Sequence, residues 1–332
     1  MKELKADIKK RDFKRIYLLF GEERFLVHHY AKSIKEAAVD IGMSQMNIEV
    51  YTGKACAVNA AIEAAQTTAF MSDYRIVVMD DTGLFATGRK ADSENLAAFL
   101  PDIPDTTIVL CLETDVDKRG KLYKKTAELG RAIEFKRLPA KQLTDWMDKL
   151  FANDGKRLSP EAARMLIDNT AGDMQLLHNE AQKIAAYTKG EVIERSDVEA
   201  VCVKSLDTRI FELVAAIGNK DSRHALEIFN NMLLMKESPI MILSMIARQL
   251  RIILQCSCLA EEHTPNEIAA TLGLREYAVS GYLRQSRNFT KEQLLQALKS
   301  VLDADFGIKT GKIGDKLAVE MVIMQWSVVS GQ

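Results

Sequence analysis

Residues 16–26 read Ile16-Tyr17-Leu18-Leu19-Phe20-Gly21-Glu22-Glu23-Arg24-Phe25-Leu26. Five apolar residues in a row, then a glycine and two acids, predict a fully buried strand that turns directly into a helix. Further apolar or β-branched runs follow at Ile48 to Tyr51, Ile76 to Met79, Thr106 to Leu112 and Ile133 to Phe135. Helical patterns lie between them, at about Phe25 to Ile41, Ala55 to Ala65, Ala91 to Leu100 and Gly120 to Leu129. Strands alternating with helices of this length generate a parallel sheet covered by crossover helices. Residues 1–139 therefore read as one α/β domain.

The same opening stretch bears on chemistry. A nucleotide-binding α/β domain carries its phosphate loop after the first strand. That loop needs several glycines so that backbone N–H groups approach the phosphates, plus a lysine and a hydroxyl for the terminal phosphates and magnesium. Gly21-Glu22-Glu23 supplies one glycine and two carboxylates, which repel phosphate. Val77-Val78-Met79-Asp80-Asp81 does look like the apolar strand ending in acids that holds magnesium in such enzymes. Without the loop it reads as a strand followed by a solvated turn.

Past Pro139 the strand signal stops, and helix starts alternate with apolar positions at helical spacing. Ser159-Pro160-Glu161 combines an N-cap, a proline at the first helical position and an acid in the first turn, and Ser196-Asp197 marks another start. Four short helices fit between Ala140 and about Ser205. Longer ones follow from Leu206, with a stripe at Ile242, Met245, Ile246, Gln249, Leu250, Ile253 and Leu254 that buries one face. Boundaries fall near residues 139 and 206.

Composition narrows the function classes. The 332 residues carry 45 Lys+Arg against 46 Asp+Glu, so no overall positive field holds the chain on nucleic acid or an anionic membrane. Only 6 Pro and 17 Gly point to a helix-rich, ordered protein. Five cysteines, mostly among apolar neighbours as in Val109-Leu110-Cys111-Leu112, argue against a disulfide framework. Cys256 and Cys258 diverge by about 200° on a helix and read as packing residues. The five histidines are scattered, with no zinc-site spacing. No apolar h-region follows Met1-Lys2-Glu3-Leu4-Lys5, and no run approaches the ~18 apolar residues of a membrane span, so the expected location is the cytoplasm.

Two features reach beyond packing. Glu267-Ile268-Ala269-Ala270-Thr271-Leu272-Gly273-Leu274, with Val279 and Leu283, has the pattern of a helix-turn-helix. Its surround is not basic, since residues 207–332 hold 14 Lys/Arg and 14 Asp/Glu. The second feature is Gln66-Thr67-Thr68-Ala69-Phe70-Met71-Ser72-Asp73, which puts two large apolar side chains in a polar connection. Composition alone favours packing them inward; an exposed pair is instead an anchor for a partner's pocket.

Set in order, these pieces resemble the delta subunit family of bacterial DNA polymerase III, the clamp-loader subunit that opens the sliding clamp. The marks are Tyr17-Leu18-Leu19-Phe20-Gly21-Glu22-Glu23 with Phe25-Leu26; Gln66 to Met71 followed by Arg75-Ile76-Val77-Val78; Ala171-Gly172-Asp173-Met174 with Asn179-Glu180 and Lys183-Ile184; Ile210-Phe211-Glu212-Leu213; Ala247-Arg248-Gln249-Leu250-Arg251; and Ile308-Lys309-Thr310-Gly311. The resemblance spans essentially the whole chain. It implies an AAA+-like α/β domain without a nucleotide site at 1–139, a small helical lid domain at 140–206, and a helical collar at 207–332. It also implies that the collar assembles with the gamma or tau ATPase subunits and delta prime.

The resemblance also implies clamp-binding residues: Gln66, Ala69, Phe70 and Met71, the last two entering a pocket on the beta clamp. A common form of the motif has proline before two phenylalanines, so Ala69 and Met71 depart from it, although methionine fills an apolar pocket well. No cofactor, metal or catalytic residue is implied. Lys118-Arg119-Gly120-Lys121 with Lys124-Lys125, or Lys9-Lys10-Arg11 with Lys14-Arg15, could meet primed DNA inside the assembly through nonspecific phosphate contacts. Two rival readings stand beside this one. One is a helix-turn-helix DNA-binding regulator with an α/β sensor domain, the other a nucleotide-hydrolysing enzyme using Asp80 and Asp81.

Overall fold

The computed structural model describes residues 2–328. The chain divides at the Arg137–Leu138 junction into two compact units. In the first, apolar runs become five strands: β1 (Ile16–Phe20), β2 (Ile48–Thr52), β3 (Arg75–Asp80), β4 (Thr107–Glu113) and β5 (Arg131–Glu134). They pair in the order β2-β3-β4-β1-β5, every pair parallel, with Leu18 between Cys111 and Ala132. Each β1 side chain is buried, because helices cover both faces of the sheet.

Those helices are α1 (Lys2–Lys10), α2 (Arg24–Ala38), the one-turn α3 (Ser44–Asn47), α4 (Val58–Gln66), α5 (Lys90–Phe99) and α6 (Lys121–Leu129). Val27, Ala31 and Ile34 of α2 are buried where that helix packs on β1 and β4. Ala61, Ala65, Leu96, Ala97 and Leu122 of α4, α5 and α6 close the other face over Ile16, Leu18, Val77 and Cys111. Truncating one such core leucine to alanine costs about 2–5 kcal/mol.

The first strand falls where the sequence predicts it. The last begins two residues earlier than expected, at Arg131 rather than Ile133. Helix α1 has no counterpart in the sequence reading, since only Leu4 and Asp7 are buried along it. Polar bonds hold it instead. The Asp7 carboxylate accepts from the Tyr17 hydroxyl at 2.9 Å and from Arg131 Nε at 2.8 Å, joining α1 to β1 and β5. Burial opposes ionisation of Asp7, but the hydrogen bonds from Arg131 and Tyr17 outweigh it and hold the carboxyl below its usual value. Burial, with Asp7 beside it, pushes the Tyr17 phenol up.

The second unit opens with α7 (Ala140–Ala152), α8 (Pro160–Asn169), α9 (Met174–Tyr187) and α10 (Arg195–Val201). Ser159 caps α8 by accepting the Ala162 N–H at 3.3 Å. Here the expectation of no strands fails: β6 (Arg157–Leu158) and β7 (Val192–Ile193) form a parallel pair. Two residues a side are too few to leave an alternating pattern, so tertiary pairing alone makes them strands.

Among the described residues seven helices follow: α11 (Leu206–Gly218), α12 (Ser222–Leu234), α13 (Pro239–Leu259), α14 (Pro265–Leu272), α15 (Glu276–Ser286), α16 (Lys291–Lys309) and α17 (Asp315–Val328). Helix α13 corrects a second expectation, because its 21 residues and a window of mean hydropathy 1.4 satisfy the length and composition of a membrane span. Its apolar stripe has another use. Ile242, Ile246, Leu250 and Ile253 are buried in the core shared with α11, α12, α16 and α17, while Arg248 and Arg251 interrupt the apolar run. Cys256 is buried against Ile268 and Val279 as expected, but Cys258 is exposed, the divergence of positions two apart on a helix having put it on the other side.

Candidate functional site

Helix α4 ends at Gln66, whose side chain is exposed, and the chain then crosses to β3 through Thr67–Tyr74. The ends of this crossing are tied down. The Thr67 N–H donates to the Ala64 carbonyl and its hydroxyl donates to the Glu63 carbonyl at 3.2 Å. At the other end Arg75, the first residue of β3, is buried and donates Nε to the same Ala64 carbonyl at 2.8 Å. Its other nitrogens reach the Met46 carbonyl at 3.0 Å and the Glu49 carboxylate.

Between these ends lie Ala69, half-buried, and Phe70 and Met71, which are 52% and 78% exposed. Inward packing, favoured by composition, is therefore not what these side chains do. On the other side of the Phe70 backbone lies the side chain of Asn47, which is fully buried at the end of α3. Its Oδ1 accepts the Phe70 N–H at 2.7 Å, and its Nδ2 donates to the Phe70 carbonyl at 2.9 Å and the Met43 carbonyl at 3.1 Å. Met71 follows with φ of 49°, the left-handed region that costs a non-glycine residue about 1–3 kcal/mol.

The turn after β1 takes its shape from the residue that follows β5. The Phe135 carbonyl accepts the Glu23 N–H at 3.0 Å, and the Phe135 N–H donates to the Phe20 carbonyl at 2.7 Å. One amide at the start of α2, where a helix terminus offers its N–H groups to a phosphate, is thus already bonded within the chain. Gly21 stands at φ +124°, and a Cβ there would lie 2.5 Å from the Phe135 carbonyl oxygen, so the one glycine admits this crossing chain. Asp80, half-buried at the end of β3, is paired: Arg24 donates to its Oδ1 at 3.0 Å, and His28 lies 3.9 Å from Oδ2. Asp81 is exposed on the turn with φ of 52°. Behind them Glu113 accepts from the Thr82 N–H, the Thr82 hydroxyl and the Gly83 N–H. Burial raises its carboxyl above the ordinary value against the pull of those hydrogen bonds.

The helix-turn-helix pattern forms as α14 and α15, joined through Gly273 at φ +64° with the Leu274 N–H on the Ala269 carbonyl. The start of α15, where a DNA reader presents its side chains, is used internally. Arg275 donates to the Gly172 carbonyl and the Tyr277 hydroxyl to the Ala171 carbonyl at 2.9 Å.

Three side chains of the basic stretches pair with acids. Lys118 pairs with Glu134 at 2.7 Å, Arg119 with Asp117 at 2.9 Å, and Arg15 with Asp105. Lys125 donates to the Ala97 carbonyl at 3.0 Å.

Of the positions named from sequence, Ala69, Phe70 and Met71 lie on one anchored crossing, and Gln66 ends the helix that leads into it. Sequence reasoning missed Asn47, because a residue 23 positions from Phe70 leaves no local signal of the contact.

The family model for the DNA polymerase III delta subunit matches residues 17–136, and that for its C-terminal domain matches residues 207–326. DNA polymerase III subunit delta of Bacillus subtilis is 30% identical over 328 residues, covering 96% of this chain and 94% of that protein. A probable DNA polymerase III subunit delta of Aquifex aeolicus is 21% identical over 243 residues, 70% of this chain and 68% of that one. The solved structure of the DNA clamp loader delta protein of Bacillus subtilis is similar with a TM-score of 0.75 at 27% identity, covering 98% of this chain and 99% of its own. With both parts matched in order and a 30% identical relative covering nearly its whole length, this chain belongs to the DNA polymerase III delta subunit family.

Proposed function

We propose that this chain is the non-catalytic clamp-loader subunit that binds the ring-shaped sliding clamp and holds it open for loading on primed DNA. The observation that carries the reading is the exposure of Phe70 and Met71 on a crossing anchored by Asn47 and Arg75. Two large apolar side chains on a fixed backbone suit an anchor that fills a partner's pocket, since little loop entropy remains to be lost on binding. A ligand shifts an opening equilibrium only by its preference for one state. Contacts that fit the open ring better than the closed one therefore suffice to open it. No bond need be made or broken by this chain.

The occupied turn after β1 and the Arg24–Asp80 pair support a subunit that leaves ATP hydrolysis to its partners. Exposed Leu302 and Phe306 on α16, with Leu317 and Met321 on α17, support assembly of 207–332 as a collar with the gamma or tau subunits and delta prime. In this reading residues 1–139 carry the clamp contact, 140–206 form the lid, and the assembly works in the cytoplasm.

Binding of the full chain to immobilised clamp tests the proposal. The expected result is saturable binding that disappears on replacing Phe70 and Met71 together with alanine. Undiminished binding by that variant overturns the reading.

A further inference from the structure

We infer that Asn47 is the positioning residue of the clamp-binding pair, acting by fixing the backbone of Phe70 and not by touching the clamp. The inference rests on the reading of Phe70 and Met71 as the clamp contact and deepens it. Its ground is the completeness of the Asn47 bonds. An asparagine amide offers two N–H donors and one carbonyl oxygen. Both donors are spent on carbonyls, those of Phe70 and Met43, and the oxygen takes the Phe70 N–H. The side chain thus behaves like a strand partner for one residue, gripping both backbone polar groups of Phe70 from inside the fold.

The donors and acceptors also fix which way round the amide sits, because the reversed orientation sets oxygen against two carbonyls. Asn47 can hold this place because its own backbone is fixed. The Met46 carbonyl accepts from Arg75, which also binds the end of α4. Three segments distant in sequence meet there, so the tip of the crossing is referenced to the sheet and not to its own flanking loop. Without the grip, residues 68–73 are a connection between two fixed ends. The strained Met71 conformation then has no bond at the preceding residue to sustain it. A freed tip must be reordered each time the pair enters its pocket, and ordering costs affinity.

The test uses Asn47→Leu, of similar shape with no hydrogen bonds, in the full-length protein. Three measurements are made: clamp affinity, thermal unfolding, and exchange of the Phe70 amide hydrogen. The expected result is affinity lower by roughly tenfold or more, faster exchange at Phe70, and unchanged exchange in β1 and β4. Repeating the substitution in a Phe70→Ala background separates positioning from general support. If Asn47 acts through Phe70, its removal costs a smaller factor there.

Affinity within about twofold of the parent despite faster Phe70 exchange overturns the inference. An identical loss in both backgrounds overturns it as well. Should leucine prevent folding, Asn47→Asp serves the same measurements, keeping the acceptor for the Phe70 N–H while setting oxygen against the two carbonyls. If instead Phe70→Ala with Met71→Ala leaves clamp binding intact, the clamp reading itself fails. A large loss in that double variant with none in Asn47→Leu removes only the role of Asn47.

Discussion

The Phe135 carbonyl oxygen lies 3.0 Å from the Glu23 amide nitrogen and occupies the N–H at the start of α2 with backbone from the end of the sheet. Where a nucleotide-binding relative of this architecture leaves helix-terminal amides open to a phosphate, this chain bonds one of them to itself. Full-length protein titrated with magnesium-ATP is expected to give no saturable heat at millimolar nucleotide. A stoichiometric site would revive the enzyme reading built on Asp80 and Asp81.

The same relationship makes Gly21 sensitive. Gly21→Ala places a Cβ 2.5 Å from the Phe135 carbonyl oxygen at a φ of +124°. Backbone strain and overpacking are each worth about 1–3 kcal/mol, so a loss of about 2 kcal/mol or more is expected from this one methyl. Denaturant unfolding followed by a probe confined to the first unit measures it. Stability unchanged within 0.5 kcal/mol, the ordinary range for surface substitutions, contradicts the tight packing of the turn.

Replacing Phe70 and Met71 with alanine tests exposure as well as function. Exposed anchors cost about 2 kcal/mol or more each in binding, enough together to remove most of a micromolar interaction worth roughly 8 kcal/mol. Their loss should leave the melting temperature nearly unchanged, because both side chains face solvent. Had they been core residues, each would cost about 2–5 kcal/mol of stability. A steep drop in melting temperature with unaltered clamp affinity per folded molecule is the contrary result.

The Asp7 ion pair with Arg131 gives a pH signature. Its folded-state carboxyl is held below the ordinary 3.8, so its stabilisation is complete above that value and is lost as pH falls through the folded value. Asp7→Asn should therefore destabilise the protein by on the order of 2 kcal/mol at neutral pH, through lost charge-assisted hydrogen bonds. The gap to the parent should stay constant down to about pH 5 and narrow steadily below pH 4. Denaturant midpoints across that range provide the measurement. A gap that widens on acidification contradicts the assignment.

Because Arg275 and Tyr277 are engaged at Gly172 and Ala171, the full chain should show no preference among DNA sequences. Competition between random duplexes and duplexes selected for binding, at physiological salt, should give a ratio near one. Dedicated readers reach about a thousandfold or more, and a value in that range would favour the regulator.

What the sequence by itself determined was the alternating architecture of the first 139 residues and the helical character of the rest. Both rest on patterns repeated over many residues: an apolar run such as Ile16 to Phe20 can be buried on both sides in only a few ways, and a helical stripe such as Ile242 to Leu254 has one face to bury. The order and spacing of short motifs carried the resemblance to the delta family, which the comparisons then showed. The residue types at Gly21 to Glu23, one glycine and two acids without the lysine and hydroxyl of a phosphate loop, are read directly from the sequence.

Only the tertiary structure decided which way Phe70 and Met71 face. Composition favours the interior, yet both are exposed, on a backbone that the Asn47 amide holds from 23 residues away. The two-residue strands β6 and β7, the polar attachment of α1 through Asp7 and the use of Phe135 to occupy the Glu23 amide share that origin. Each depends on a few hydrogen bonds between separate segments. Such bonds are strong in geometry and silent in periodicity, because a single polar partner leaves no repeating pattern along the chain.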